Sequence, residues 1–176
     1  MMLPQVNFKR ILYATDLSES ARYALAHAAS IANACKAELV ILHVMAENIN
    51  IDKEIVTCIG HDKWEEIKKR NEIDARTALI GKRREHPALQ EALAHFCENA
   101  KDNIGENDVK MDETIVEKGN PADVIVRVAE QRKCDLIVMG SYGISGLAEA
   151  IIGSTSRRVL KRTQIPVLVV RLQKED

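Results

Sequence analysis

Short apolar runs alternate along this chain with longer segments in which apolar residues recur every three or four positions. The runs "RILYAT", Arg10 to Thr15, and "ELVILHVM", Glu38 to Met45, are apolar at consecutive rather than alternate positions. A half-solvated antiparallel strand alternates apolar with polar residues. Continuous runs instead predict strands buried on both faces, as in a parallel sheet covered by helices. Between the two runs, Ala21, Leu25, Ala28, Ala32 and Cys35 fall on one face of a helix. Ser18 offers that helix an N-cap and Glu19 complements its dipole. The small alanines predict close packing on the sheet.

From Ala46 to about Glu85 the pattern weakens. The segment "EEIKKRNEIDARTALIGKRRE" is charge-rich with scattered Ile and Leu, and Trp64 and Ile67 are the candidate anchors of a short helix. It reads as a charged excursion over about 46–85, its charges forming a solvated face. A connection of this length is functional or mobile by expectation. Helical spacing returns at Leu89, Leu93, Phe96, Ala100 and Ile104, with Gly105 as a stop. "VKMDETIVEKG", Val109 to Gly119, is a more polar third strand, predicted near a sheet edge. Asn120 then caps a helix with Pro121 at its first position, Asp123 in its first turn, and Ile125 and Ala129 on its apolar face. "DLIVMG", Asp135 to Gly140, is a fourth buried strand. A helix from about Ser154 to Arg162 and a fifth strand, "VLVVRL", Val167 to Leu172, complete the series. Strands alternating with helices over 176 residues predict one doubly wound α/β domain, a five-stranded parallel sheet with helices on both faces.

Composition narrows the function classes. Apolar residues make up 46% and charged residues 29%, the profile of a soluble globular protein. The formal net charge of −1 leaves no basic footprint for nucleic acid or an anionic membrane. Aromatic residues, at 3%, are too few for a base-stacking platform. Cys35, Cys58, Cys97 and Cys134 form no C-x-x-C pair and fit no common zinc module, so they read as buried thiols. The amino-terminal "MMLPQVNFKRILYATD" lacks the long apolar region of a signal peptide, which predicts a cytoplasmic protein. His43, inside an apolar strand, reads as a hydrogen-bonded core residue. His27, His61, His86 and His95 form no i, i+4 pair. No nucleophile lies beside a base, so no residue is assigned a catalytic role.

One chemical signal remains. The stretch "MGSYGISGLAEAIIGSTS", Met139 to Ser156, holds Gly140, Gly143, Gly146 and Gly153, half of the eight glycines in the chain. It runs from the carboxyl end of a buried strand to the start of a helix. Ligands of open α/β sheets sit at such strand ends, and a helix N-terminus attracts anions. The stretch is not a P-loop, since no lysine follows Gly153, and it lacks G-x-G-x-x-G. From the residues alone, an anion site and an ordinary strand-to-helix loop with a serine cap both stand open.

The stretch resembles the nucleotide-binding branch of the universal stress protein family, whose signature G-x2-G-x9-G-[ST] is met by Gly140, Gly143, Gly153 and Ser154. "SGL" at Ser145, "GSTSRRVL" at Gly153, "PVLVVR" at Pro166, "KRILYATDLSE" at Lys9, "LHV" at Leu42 and the Gly119-x-Pro121 turn are also family-like. The resemblance implies a Rossmann-like sheet of order 3-2-1-4-5 and an ATP site at the ends of strands one and four. Asp16 would bind the ribose hydroxyls and the backbone of Val44 the adenine edge. Gly140, Gly143, Gly153, Ser154 and Thr155 would surround ribose and phosphates, while Ala14, Thr15, Met139 and Ser141 line the pocket. It further implies Mg2+ or Mn2+ bridging the phosphates, a homodimer through the fifth strand, and a regulatory, stress-response role with at most slow ATP hydrolysis. The alternative is a nucleotide-free interaction protein of the same fold, acting through its dimer and the charged excursion. Two positions depart from the family pattern: Ala14 stands where relatives often carry Pro, and Tyr142 where many carry His or Arg. Arg157 and Arg158 either compensate for the lost basic residue or are ordinary surface charge.

Overall fold

A computed structural model describes residues 6–45, 55–57, 59–77, 87–102, 110–142 and 152–172. The described elements run β1 (Arg10–Thr15), α1 (Glu19–Cys35), β2 (Glu38–Met45), α2 (His61–Thr77), α3 (Pro87–Asp102), β3 (Met111–Lys118), α4 (Pro121–Gln131), β4 (Leu136–Gly140), α5 (Ser154–Arg162) and β5 (Val167–Val170). The strands form one parallel sheet of order β3-β2-β1-β4-β5. The continuous apolar runs explain this. Ile11, Tyr13, Leu39, Ile41 and Val138 pack on one face with α1, α2 and α3. Leu12, Val40, Leu42, Ile137 and Met139 pack on the other with α4 and α5. From β1 the chain steps one way to β2 and β3, then returns through α4 to β4 on the other side. The carboxyl ends of β1 and β4 therefore lie at the switch point of the sheet.

The local signals act as the sequence predicts. Ser18 caps α1 by accepting the Ala21 N–H at 3.2 Å, and Asn120 caps α4 by accepting the Ala122 N–H at 3.1 Å. β3 is an edge strand, in keeping with its polar residues. Within the excursion, α2 is helical and its charges pair on the outer face, Lys63 with Glu66 and Lys68 with Glu65. Trp64 and Ile67 join the main core beside Leu93 and Phe96 of α3, so this part of the excursion is also a packed layer. Residues 46–54, 58 and 78–85 of it, Cys58 among them, and the predicted stop at Gly105, lie outside the described residues.

Two readings need correction. Cys35 is exposed, although it continues the buried stripe of α1. It is the last residue of the helix, and the chain reverses at once through Lys36 in the left-handed region. The fifth strand stops at Val170 rather than Leu172, because its pairing with β4 ends at Gly140↔Val170. Cys97 and Cys134 are buried as predicted. Burial pushes the Cys134 thiol up to about 11, which keeps it protonated and unreactive at neutral pH.

A polar network that the hydrophobic pattern does not reveal closes the amino end of the sheet. Asp135 accepts the backbone N–H groups of Lys9 at 2.7 Å and Arg10 at 2.9 Å, tying the start of β4 to β1. The Arg10 guanidinium meets Glu38 on β2 at 2.6 Å and Asp112 on β3 at 3.1 Å. Lys110 also donates to Glu38, and Arg132 grips both oxygens of Glu113 at 2.6 and 2.8 Å. The donors from Lys110 and Arg10 hold the Glu38 carboxyl at about 2, below its ordinary 4.5. A carboxylate depressed on folding stabilises above its unfolded value and loses that contribution as pH falls through the folded one. The Glu38 contribution is therefore complete above about pH 4.5 and fades toward about pH 2. Denaturant melts across this range should show a smaller acid-induced loss for Glu38→Gln than for the natural chain. Equal losses would remove Glu38 from the account.

Candidate functional site

At the carboxyl end of β1 the chain turns through Asp16, Leu17 and Ser18. Thr15 Oγ1 accepts the Leu17 N–H at 3.0 Å and Asp16 Oδ1 accepts the Ser18 N–H at 3.1 Å. Leu17 sits at φ 65°, a left-handed conformation costing a branched side chain about 1–2 kcal/mol. Two side-chain bonds in three residues, with the Ser18 cap just beyond, hold the turn against that strain. The Asp16 carboxylate thus does part of what an ordinary loop aspartate does.

At the end of β4 three hydrogen bonds converge on two residues. Ser141 N–H donates to the Val170 carbonyl at 2.7 Å, and Gly153 N–H donates to the Ser141 carbonyl at 2.7 Å. Ser156 Oγ donates to the Gly140 carbonyl at 3.0 Å. The entrance and exit of the glycine stretch are therefore pinned side by side, with α5 starting at the strand end. The glycines at the two pins have an internal reason. A Cβ on Gly140 would lie 2.7 Å from Ser20 Oγ and 3.0 Å from the Ser20 carbonyl carbon. One on Gly153 would lie 2.9 Å from the Ser141 carbonyl oxygen. Close approach of the protein to itself excludes a side chain at both. Gly143 and Gly146 lie outside the described residues.

The α5 N-terminus has Gly153 as its cap and no side-chain cap bond, so its first turn relies on other partners for its N–H groups. Ser154 is exposed there and Thr155 half-buried. Ser141, 0% exposed, and Ser20, on α1, each carry a buried hydroxyl with no hydrogen-bond partner among the described residues. Leaving such a group unpaired costs about 1–3 kcal/mol. Two of them beside one strand end mark a locally unsatisfied polar region.

Sheet register assembles the remaining candidates. Ala14 lies opposite Met139, and both are buried on the α4–α5 face, where Val44 packs half-buried. Thr15 pairs with His43, leaving Asp16 beyond the paired end of β1 and Val44 beyond it on β2. Ala14, Thr15, Asp16, Met139, Gly140, Ser141, Gly153, Ser154 and Thr155 thus gather at the switch point, with Val44 one strand further out. Tyr142 is half-buried, and Arg157 and Arg158 are exposed. Sequence reasoning missed Ser20 and Ser156, which touch Gly140 directly. Ser156 is detectable as the polar partner of Val159 on the buried stripe of α5. Ser20 gives no such signal, since it looks like one more first-turn residue. His43 is a buried core histidine as predicted, 2% exposed, with Nδ1 3.0 Å from the Thr15 carbonyl oxygen. Among the described residues no three His, Cys, Asp or Glu side chains form a metal cluster, and no helix is long and apolar enough to cross a membrane.

The model of the universal stress protein family matches residues 7–171. The chain is 32% identical over 174 residues to universal stress protein MJ0577 of Methanocaldococcus jannaschii, covering 94% of this chain and 96% of that one. It is 34% identical over 164 residues to universal stress protein YxiE of Bacillus subtilis, covering 93% and 99%. The solved structure of MJ0577 is similar with a TM-score of 0.64 at 30% identity, covering 97% of this chain and 100% of that one. A universal stress protein solved in complex with cAMP has a TM-score of 0.56 at 23% identity, covering 94% and 98%, a likeness of fold.

Close packing at the two pins predicts that Gly140→Ala and Gly153→Ala each lower stability by about 1–3 kcal/mol, as overpacking does, in denaturant melts without ligand. Truncating Ser20 to Ala should relieve only part of the Gly140→Ala loss, because backbone atoms of Ser20 crowd the same point. Unchanged stability in both glycine variants would show that packing does not require them.

Proposed function

The chain belongs to the universal stress protein family, and from that premise we propose that it binds ATP as a regulatory, stress-response protein. The observation that carries this reading is the junction of β4 and α5. A helix N-terminus without a side-chain cap is pinned by the 2.7 Å Gly153–Ser141 bond to the end of the strand next to β1. Backbone N–H groups and a helix dipole at a sheet switch point suit a polyphosphate. Gly140, Gly143, Gly153, Ser154 and Thr155 would supply donors around ribose and phosphates. Asp16 would accept from the ribose hydroxyls, and the Val44 backbone would meet the adenine edge. Ala14, Thr15, Met139 and Ser141 would form the walls. The hydroxyl chemistry fits: Ser154 and Thr155 lie in the first turn of α5, and the buried Ser141 hydroxyl adjoins it. A Mg2+ or Mn2+ ion would come with the nucleotide and be held mainly by its phosphates.

We place the protein in the cytoplasm on this reading and take it to be a homodimer through β5. That strand pairs with β4 alone among the described strands, and Val167, Leu168 and Val169 are only half-buried. An apolar edge of this kind favours pairing with a second copy across a two-fold axis.

A second reading, a nucleotide-free interaction protein, draws on one observation. Ser20 and the Ser141 carbonyl already account for the glycines at positions 140 and 153. Thermal melting separates the two. Saturating Mg-ATP should raise the melting temperature, since a ligand at one hundred times its Kd adds about 2.7 kcal/mol. Asp16→Ala should lower the starting stability, because the Ser18 N–H loses its partner, and should abolish most of the ATP-dependent rise. No rise at millimolar Mg-ATP in the natural chain would favour the interaction protein.

A further inference from the structure

We propose that His43 is a positioning residue for nucleotide binding: its imidazole fixes the Thr15–Asp16 turn and so sets where the Asp16 carboxylate stands. The proposal rests on the reading above, in which Asp16 meets the ribose hydroxyls. It adds a residue from a different strand that no pocket-lining argument includes.

Three observations carry it. First, His43 Nδ1 lies 3.0 Å from the carbonyl oxygen of Thr15, and the imidazole is 2% exposed. A carbonyl oxygen only accepts, so Nδ1 carries the proton and donates. Second, Thr15 stands where β1 runs out of neighbours. Pairing with β4 ends at Ala14↔Met139 and pairing with β2 ends at Thr15↔His43 itself. The peptide that follows leads directly into Asp16 and has lost its neighbour on the β4 side, so it depends on what β2 supplies. Third, the turn is strained, with Leu17 at φ 65°. Two further restraints, Thr15 Oγ1 to Leu17 N–H and Asp16 Oδ1 to Ser18 N–H, are local to the turn itself. The His43 bond differs from these in tying the turn to the neighbouring strand. A strained conformation persists where its surroundings over-determine it, and a buried side-chain-to-backbone bond from a rigid strand is a stiff means of doing so. Burial lowers the affinity of His43 for a second proton, which keeps the ring neutral and the Nδ1–H donor in place at neutral pH.

The experiment is a binding cycle with two probes, ATP and 2′,3′-dideoxy-ATP, on the natural chain, His43→Leu and His43→Asn. The natural chain should prefer ATP, because only ATP offers hydroxyls to Asp16. His43→Leu, which keeps most of the volume and removes the donor, should weaken ATP by about ten-fold. It should leave dideoxy-ATP within about two-fold, because the lost contribution passes through the ribose contact. His43→Asn places an N–H near the Nδ1 position and should recover most of the ATP affinity, although it leaves a larger void. A packing effect would order these variants the other way and weaken both probes alike, and either result overturns the proposal. If His43→Leu fails to fold, ring 15N shifts of the natural protein decide: an Nδ1–H tautomer supports the proposal and an Nε2–H tautomer overturns it. A natural chain that binds ATP without preferring it to the dideoxy analogue removes the Asp16 reading itself, and the proposal with it. A natural chain with that preference, shared undiminished by His43→Leu, overturns the proposal alone.

Discussion

The junction of β4, β5 and α5 at the carboxyl end of the sheet depends on the backbone of Gly140 and Ser141. Their two carbonyls and one N–H hold α5, β5 and the start of the helix turn in place through three bonds of 2.7 to 3.0 Å. That is possible because no side chain intervenes at Gly140, where α1 presses in through Ser20, nor at Gly153, where the Ser141 carbonyl occupies the space. The glycines permit the approach, the approach permits the bonds, and the bonds bring a helix N-terminus beside β1. The site is thus a product of packing before it is a product of any ligand.

The two ends of the sheet are built from different materials. The amino end is closed by ionised groups, with Arg10, Glu38, Asp112 and Lys110 joining β1, β2 and β3. The carboxyl end carries a strained turn and two buried hydroxyls without partners among the described residues. Unsatisfied polar groups and strained backbone are costs that a fold tolerates when other contacts hold the chain. In this molecule the opposite end supplies such contacts.

Much of the fold was legible because it rests on local patterns along the chain. The continuous apolar runs, the Ser18 and Asn120 caps and the polar third strand needed only periodicity and capping chemistry. Strand order came through family resemblance, since periodicity does not say which strand adjoins which. The excursion was harder to read. Trp64 and Ile67 were legible in it as helix anchors, but two anchors in a long charged run do not show that they join the main core. Cys35 misled in the opposite sense, because a helical stripe does not show where the covering layer stops. The site was legible at the residues that share a local stretch, such as Gly153, Ser154 and Thr155. Ser20, Ser156 and the bond from His43 to Thr15 were not, because each depends on a contact between distant parts of the chain. Gly143 lies outside the described residues, so its place in the site rests on the resemblance.

The central claim is that a nucleotide occupies the junction of β1, β4 and α5. Amide NMR during titration with Mg-ATP tests it most directly, because it reports every backbone N–H without altering the protein. The account predicts saturable shifts at Asp16, Val44, Gly140, Ser141, Gly153, Ser154 and Thr155, with Lys9, Arg10, Glu38 and Asp112 at the opposite end unmoved. Shifts confined to the opposite end or to the outer face of α2, or no saturable shifts at millimolar ATP, would contradict it.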